Sequence, residues 1–195
     1  GLLLDNGIAL GIDGRVDGTS GSVTIRAQGI TIGTNGSVAS AASGDAIVLA
    51  SDGAFRNLHG ITALSAANGR WLVYSQAAGN AAASDPANDF GGLAGKSFYG
   101  AAYDFESGTF AATPGAGNRF VYGYRPVLTV TPDSFRVTYN GSVPVLTATI
   151  AGLVNGDDAA DAWSGMAALS GAARNAGSYS ISAAPMIVNG KLITG

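Results

Sequence analysis

Apolar residues alternate with small or polar ones over residues 7–16, GIALGIDGRV, and again over residues 29–38, GITIGTNGSV. At a spacing of 22, Gly7, Ile8, Leu10, Gly11, Asp13, Gly14 and Val16 recur as Gly29, Ile30, Ile32, Gly33, Asn35, Gly36 and Val38. The period of two predicts strands that turn one face inward, and the Gly, Asp and Asn positions predict tight corners between them. Repetition at a fixed short period joins these elements into coils of a right-handed parallel β-helix, in which each coil buries its apolar row against the next.

Beyond the matched blocks, residues 22–27, SVTIRA, and 45–51, DAIVLAS, align best with Val23 and Ile25 beside Ile47 and Leu49, an offset of 24. Two added residues keep side-chain parity, whereas a slip by one would turn the aliphatic residues outward. A third, degenerate coil is predicted from Gly53 through Phe55, Leu58, Ile61 and Leu64 to the apolar run Trp71, Leu72, Val73 and Tyr74. The β-helix coils therefore occupy residues 1–75.

An uncovered last coil leaves apolar side chains and backbone groups open, so a cap or a continuation should follow. Residues 76–95 read as loop, with Pro86, Asn80 and Asn88 as turn formers. Nine aromatic residues then fall between Phe90 and Tyr124. Large rings cover an open core end efficiently, so SFYGAAYDFE and NRFVYGY are expected to form a short sheet over it, within a cap or junction at 76–125.

From residue 126 to 195 the pattern becomes that of a second, small mixed β domain, β-grasp-like or sandwich. Strands are predicted at VLTVT, FRVTY, VLTATI, MAALS and SYSISAA, with a Pro-Asp turn and an Asn-Gly turn among them. One short helix is expected in NGDDAADAW, with Asp157 as N-cap. The closing MIVNGKLITG reads as a hairpin about Asn189-Gly190.

Composition sharpens the all-β reading. Thirty glycines and 12% charged residues suit many short strands joined by turns. With a formal charge of −3 and two lysines, Lys96 and Lys191, the chain has no electrostatic footprint for nucleic acid or an anionic membrane. No apolar run approaches the roughly 20 residues that span a bilayer, so membrane insertion is not expected. The chain has no cysteine, which excludes disulfides, thiolate metal sites and a cysteine nucleophile but is compatible with export. It opens mid-pattern with GLLLDNG and reads as a piece of a longer protein, and the C-terminal domain reads as one cut before its natural end.

Candidate chemistry is sparse. The single histidine, His59, lies between Leu58 and Gly60 in the degenerate coil and reads as a surface or edge residue. Asp157, Asp158 and Asp161 offer oxygen ligands for calcium, but they lack the Asp/Asn alternation and distal Glu of a calcium loop and are read as helix-capping acids. Among the acids of the coils, Asp5, Asp13, Asp17, Asp45 and Asp52, Asp13 is replaced by Asn35 in the next coil, as turn chemistry predicts. A polysaccharide lyase or hydrolase needs several such groups converging on one sheet, so an enzyme, a metal site or a cofactor is not expected. The junction tyrosines Tyr99, Tyr103, Tyr122 and Tyr124 are the candidate glycan contacts, since flat rings can stack on pyranose faces; packing is their competing role.

The first part resembles the β-helix shaft of filamentous-haemagglutinin-like bacterial adhesins of the two-partner-secretion type. The resemblance rests on Gly69-Arg70-Trp71-Leu72-Val73-Tyr74-Ser75, then Phe90-Gly91-Gly92-Leu93, then Phe120, Val121, Tyr122 and Pro126. The second part is similar to MBG-type domains through Tyr139-Asn140-Gly141, Gly152-Leu153-Val154-Asn155-Gly156-Asp157 and Asn175-Ala176-Gly177-Ser178-Tyr179. MIVNGKLITG departs from the closing strand of that domain. The resemblance implies a secreted or cell-surface segment that acts as stalk and display module in cell adhesion. It further implies neighbouring domains of the same chain, a surface glycan or protein as partner, and possible self-association into fibres. A glycan-binding module is the alternative expectation, and a polysaccharide-active β-helix enzyme the third.

Overall fold

The computed structural model describes residues 1–75, 88–110, 113, 116–123, 127–134, 136, 145–152, 169–170, 175, 177–183, 186–188 and 191–194. They are all-β, in two compact units, the first ending at Tyr124 and the second beginning at Arg125. The segment expected to be helical, including Asp157, Asp158 and Asp161, lies outside the described residues.

The first unit is a parallel β-solenoid of about four turns. Its strands are β1 (Leu2–Ile12), β2 (Arg15–Asp17), β3 (Val23–Ile32), β4 (Ser37–Ser51), β5 (Phe55–Asn57) and β6 (Leu64–Ser75). Long strands bend round corners, so each serves more than one face. Residues 2–6, 23–27, 47–51 and 71–75 stack in register as a first face. Residues 9–12, 29–32 and 55–57 form a second, and 15–17, 37–39 and 64–65 a third. Val23, Ile25, Ile30, Ile32, Val38, Ile47, Leu49 and Phe55 are fully buried inside.

Val23 pairs with Ile47 and Ile25 with Leu49, which is the register expected from the parity argument. The decapeptide offset of 22 holds for Arg15–Asp17 against Ser37–Ala39. Upstream it fails: Leu10 lies beside Ile30 and Ile12 beside Ile32, an offset of 20. The reason is the corner. Two residues separate Ile12 from Arg15, whereas four separate Ile32 from Ser37, and the longer corner takes up the difference. The difference is even, so the aliphatic residues still face inward. The third coil is also present, but Leu58 and Ile61 are 50% and 73% exposed and do not belong to its interior. There the buried Asn57 side chain closes the corner, accepting from His59 N and Gly60 N and donating to Gly60 O and Phe90 O, so the chain between swings outside.

The aromatic-rich segment continues the solenoid and is not a lid across its end. Asp89 bridges Arg56 in parallel, extending the second face. β7 (Lys96–Tyr99) and β10 (Arg119–Tyr122) extend the first face in the order β1-β3-β4-β6-β10-β7. Between them, β8 (Tyr103–Asp104) and β9 (Thr109–Phe110) form an antiparallel hairpin. Its Tyr103, with Phe105 and Phe110, packs on the outward row Val48, Ala50, Leu72, Tyr74 and Val121. The β4, β6 and β10 part of the first-face sheet is thus covered on both sides, which is why WLVY and IVLA read as continuous apolar runs where a one-sided strand would alternate.

In the second unit, β11 (Val127–Pro132) lies between β12 (Ala148–Ala151), antiparallel, and β16 (Lys191–Thr194), parallel. β15 (Met186–Val188) joins the far side of β16, giving the mixed order β12-β11-β16-β15. The expected hairpin about Asn189-Gly190 is the β15–β16 pair, and its second strand closes the sheet against the first strand of the unit. β13 (Leu169–Ser170) and β14 (Ser182–Ala183) make a separate antiparallel pair. In β11, Leu128 and Val130 are buried while Thr129 and Thr131 are exposed, the period-two pattern of a half-buried strand.

Candidate functional site

The candidate tyrosines separate in space. Tyr99 and Tyr122 sit in register on the inner side of β7 and β10, fully buried and stacked at 5.2 Å and 15°. Tyr103 is buried on the outer side, edge-on to Tyr74 at 5.8 Å, with its hydroxyl donating to Gly108 O at 3.1 Å. Tyr124 lies outside the described residues. Tyr99 and Tyr122 therefore present no ring face to a ligand. They pack on each other, and the other rings of the segment pack likewise: the ring centroid of Phe90 lies 4.0 Å from that of Phe120, and that of Phe120 5.1 Å from that of Trp71.

What remains open is a cleft of about 410 Å³ on the outer side of the first two coils. Leu3 and Thr24 line it from β1 and β3, Arg26 projects beside them, and Tyr103, Ser107 and Phe110 of the hairpin form its other wall. The strand period explains the grouping: Thr24 and Arg26 alternate with the buried Val23 and Ile25, so both point away from the core. Arg26 forms an ion pair with Asp5 of the preceding coil, and its buried Nε has no partner among the described residues. Rings, hydroxyls and one guanidinium can hold a small polar ligand by stacking and hydrogen bonding, but nothing in the cleft is placed as nucleophile and base together.

Electrostatics elsewhere hold the coils and turns together. Arg70 Nε donates to Asp45 Oδ1 at 2.6 Å between adjacent coils that pair at these residues. Arg15, bonded to Asp17 at 2.7 Å, holds that carboxyl below the usual range, with the Thr19 N–H adding to the effect. The Ser107 hydroxyl, followed by the Ser107 and Glu106 amides, does the same for Asp104 in the hairpin turn. Burial, more than the nearby Asp45 carboxylate, pushes the Tyr74 phenol well above its ordinary value. Asp13 stands at a corner as expected, exposed beside Gly33. His59 is half-buried, its Nδ1 2.9 Å from Thr34 O, which ties the third corner to the second. Among the described residues no three His, Asp or Glu side chains gather as a metal site.

Three asparagines carry long-range roles that their sequence does not show, Asn88 reading there as a turn former only. Asn88 Oδ1 accepts from Phe55 N at 2.6 Å and Ser75 Oγ at 2.9 Å; Asn118 Oδ1 accepts from Trp71 N at 3.1 Å; Asn57 closes its corner. Each joins residues far apart in sequence. Their sequence signal was that of ordinary turn residues, indistinguishable locally from Asn80 or Asn140.

No curated protein and no solved structure matches the chain. Residues 128–186 match the family model described as MBG domain (YGX type), so the second unit is similar to that domain family, which is found in adhesin-like proteins.

Proposed function

We propose that this chain is a stalk and display segment of a secreted or cell-surface adhesin, with a structural and not a catalytic role. The observation that carries the reading is the parallel stack of coils followed in the same chain by an MBG-like unit. Each coil adds about 4.8 Å along the stack, so the number of coils sets a reach, and a small β unit is a suitable neighbour in a modular surface protein. Adhesion to a surface glycan or protein would then belong to the parent protein, with this segment holding the contact at a distance.

The test is replacement in the parent protein on its own cells. Exchanging the solenoid for an unrelated rigid spacer of equal length should restore adhesion, and deletion without replacement should abolish it. Failure of the spacer to restore adhesion, with surface display intact, overturns the stalk role. Antibody against the chain should also label intact cells, and labelling after lysis alone would remove the surface assignment.

The cleft favours a second reading, a glycan contact, because Phe110, Thr24, Ser107 and Arg26 surround a volume that suits one or two sugar rings. Saturable binding on a glycan array, lost on Arg26→Ala, supports it.

A further inference from the structure

The strand order at the end of the solenoid departs from simple winding. A coil wound in sequence would place β7 directly beside β6 and leave it at the edge. Instead β7 stands one strand further out, the chain makes the β8–β9 hairpin, and β10 returns to fill the gap between β6 and β7. All three strands are parallel: Arg119–Tyr122 pairs with Leu72–Ser75 on one edge and with Lys96–Tyr99 on the other. Five residues after Tyr122, at Val127, the chain enters β11 of the second unit. The strand from which the chain leaves the solenoid is thus an interior strand and not an edge.

We infer that β10 is a mechanical clamp, the point where tension carried along the chain enters the solenoid. An edge strand held by one ladder peels away one bond at a time, as unpaired edges do in local opening. A strand bracketed on both edges comes free after two ladders fail together. The ends of β10 are held as well. Asn118 just before it bonds to both neighbours, its side chain to Trp71 N at 3.1 Å and its carbonyl to Lys96 N at 3.1 Å. At the far end Tyr122 O accepts from Ala101 N at 3.1 Å. Side chains lock both faces: Phe120 against Trp71 and Phe90, Tyr122 stacked on Tyr99, and Val121 in the outer cluster under the hairpin. The inference rests on the stalk reading only for why tension arises.

Single-molecule pulling on the full chain, from the exposed corner residue Asn35 to the C-terminus, tests the clamp without loading the edge strand β1. The chain has no cysteine, so Asn35→Cys and an added C-terminal cysteine define the attachment points. The second unit, Arg125–Gly195, releases roughly 25 nm of chain and the solenoid span from Asn35 to Tyr124 roughly 32 nm, at about 3.5 Å per residue, so the two events are told apart by length. The solenoid event should need the higher force. Tyr99→Ala, which removes the stack on Tyr122, and Lys96→Pro, which removes the donor to Asn118 O, should each lower that force by a third or more. Ile25→Ala, a core truncation at the distant second coil, should lower thermal stability and leave the force within error. Should Ile25→Ala weaken the solenoid event as much as Tyr99→Ala, or should both β7 variants leave it unchanged, the clamp is refuted. Neither result depends on where the parent protein resides, so the stalk reading fails or stands separately in the spacer exchange.

Discussion

Gly36 and Gly14 occupy the same corner position in successive coils, yet the structure asks different things of them. A side chain at Gly36 would run into the carbonyl of Ile12, which already accepts from Gly33 N at 2.9 Å, because the preceding coil packs directly on this corner. At Gly14 a side chain meets nothing within 4 Å. Gly36→Ala should therefore cost about 1–3 kcal/mol by forcing the coils apart, while Gly14→Ala should be neutral or slightly stabilising through the unfolded chain. Urea denaturation of the two variants decides it, and equal effects would mean that coil contact does not set the glycine requirement. Asn57 makes a comparable case with polar groups. Its truncation to Ala leaves two carbonyls and two amides of the corner without their partner, an expected loss of about 2–3 kcal/mol in the same assay. Asp104 adds a pH dependence of known sign. Its folded carboxyl is held low by Ser107, so it stabilises the hairpin turn above the unfolded value of about 3.9, and that contribution is lost as pH falls through the lower folded value. Side-chain NMR titration should give a midpoint below about 3.9, rising toward it in Ser107→Ala; a midpoint at or above it in the native chain contradicts the turn assignment.

At the scale of elements, the hairpin β8–β9 turns an exposed sheet face into a second core. Tyr103→Ala removes the ring that meets Tyr74, Phe105 and Phe110, and should cost about 3–5 kcal/mol while raising binding of a hydrophobic dye to the bared Val48, Leu72 and Tyr74. Loss of stability without dye binding would mean the sheet face stays covered by other means. This element also shows where the sequence was readable and where it was not. The Val23 and Ile25 register against Ile47 and Leu49 followed from parity alone, since the period of two leaves few choices once one face is buried. The β15–β16 pairing followed from the Asn-Gly dipeptide that lies between the two strands in the sequence. The placement of the aromatics did not. Burial makes rings of Tyr99 inside and Tyr103 outside look alike in sequence, and which side of a sheet a ring covers depends on the path of the chain through β10, a pairing across more than forty residues from β6. Leu58 and Ile61 misled for a related reason: their spacing suits a coil, but the Asn57 amide closes the corner ahead of them. The cleft was unreadable too, because Arg26 and Phe110 meet only through the hairpin fold-back.

For the solenoid as a whole, stability should be graded along the stack, since the strands of each coil pair only with those of the coils beside them. Leu4 and Ile25 stand side by side in one column of the first face. Ile25 has a coil on either side and is fully buried, while Leu4, in β1, has a neighbour on one side and is 40% exposed. Burial of apolar area, and the cavity left by its removal, set the cost of truncation. Ile25→Ala should therefore lose about 3–4 kcal/mol, and Leu4→Ala about half that or less, although the two residues are of equal size. Amide exchange should follow the same gradient. Protection should be lowest in β1, where Leu2, Leu3 and Ile8 are also exposed, and highest in the first-face segments of β4 and β6, which are paired on both edges and covered on both sides. Uniform protection from β1 to β6, with equal costs for the two truncations, would show that the coils open as one unit. A nearest-neighbour stack cannot produce that pattern, because the interface terms around β1 are fewer than those around β4.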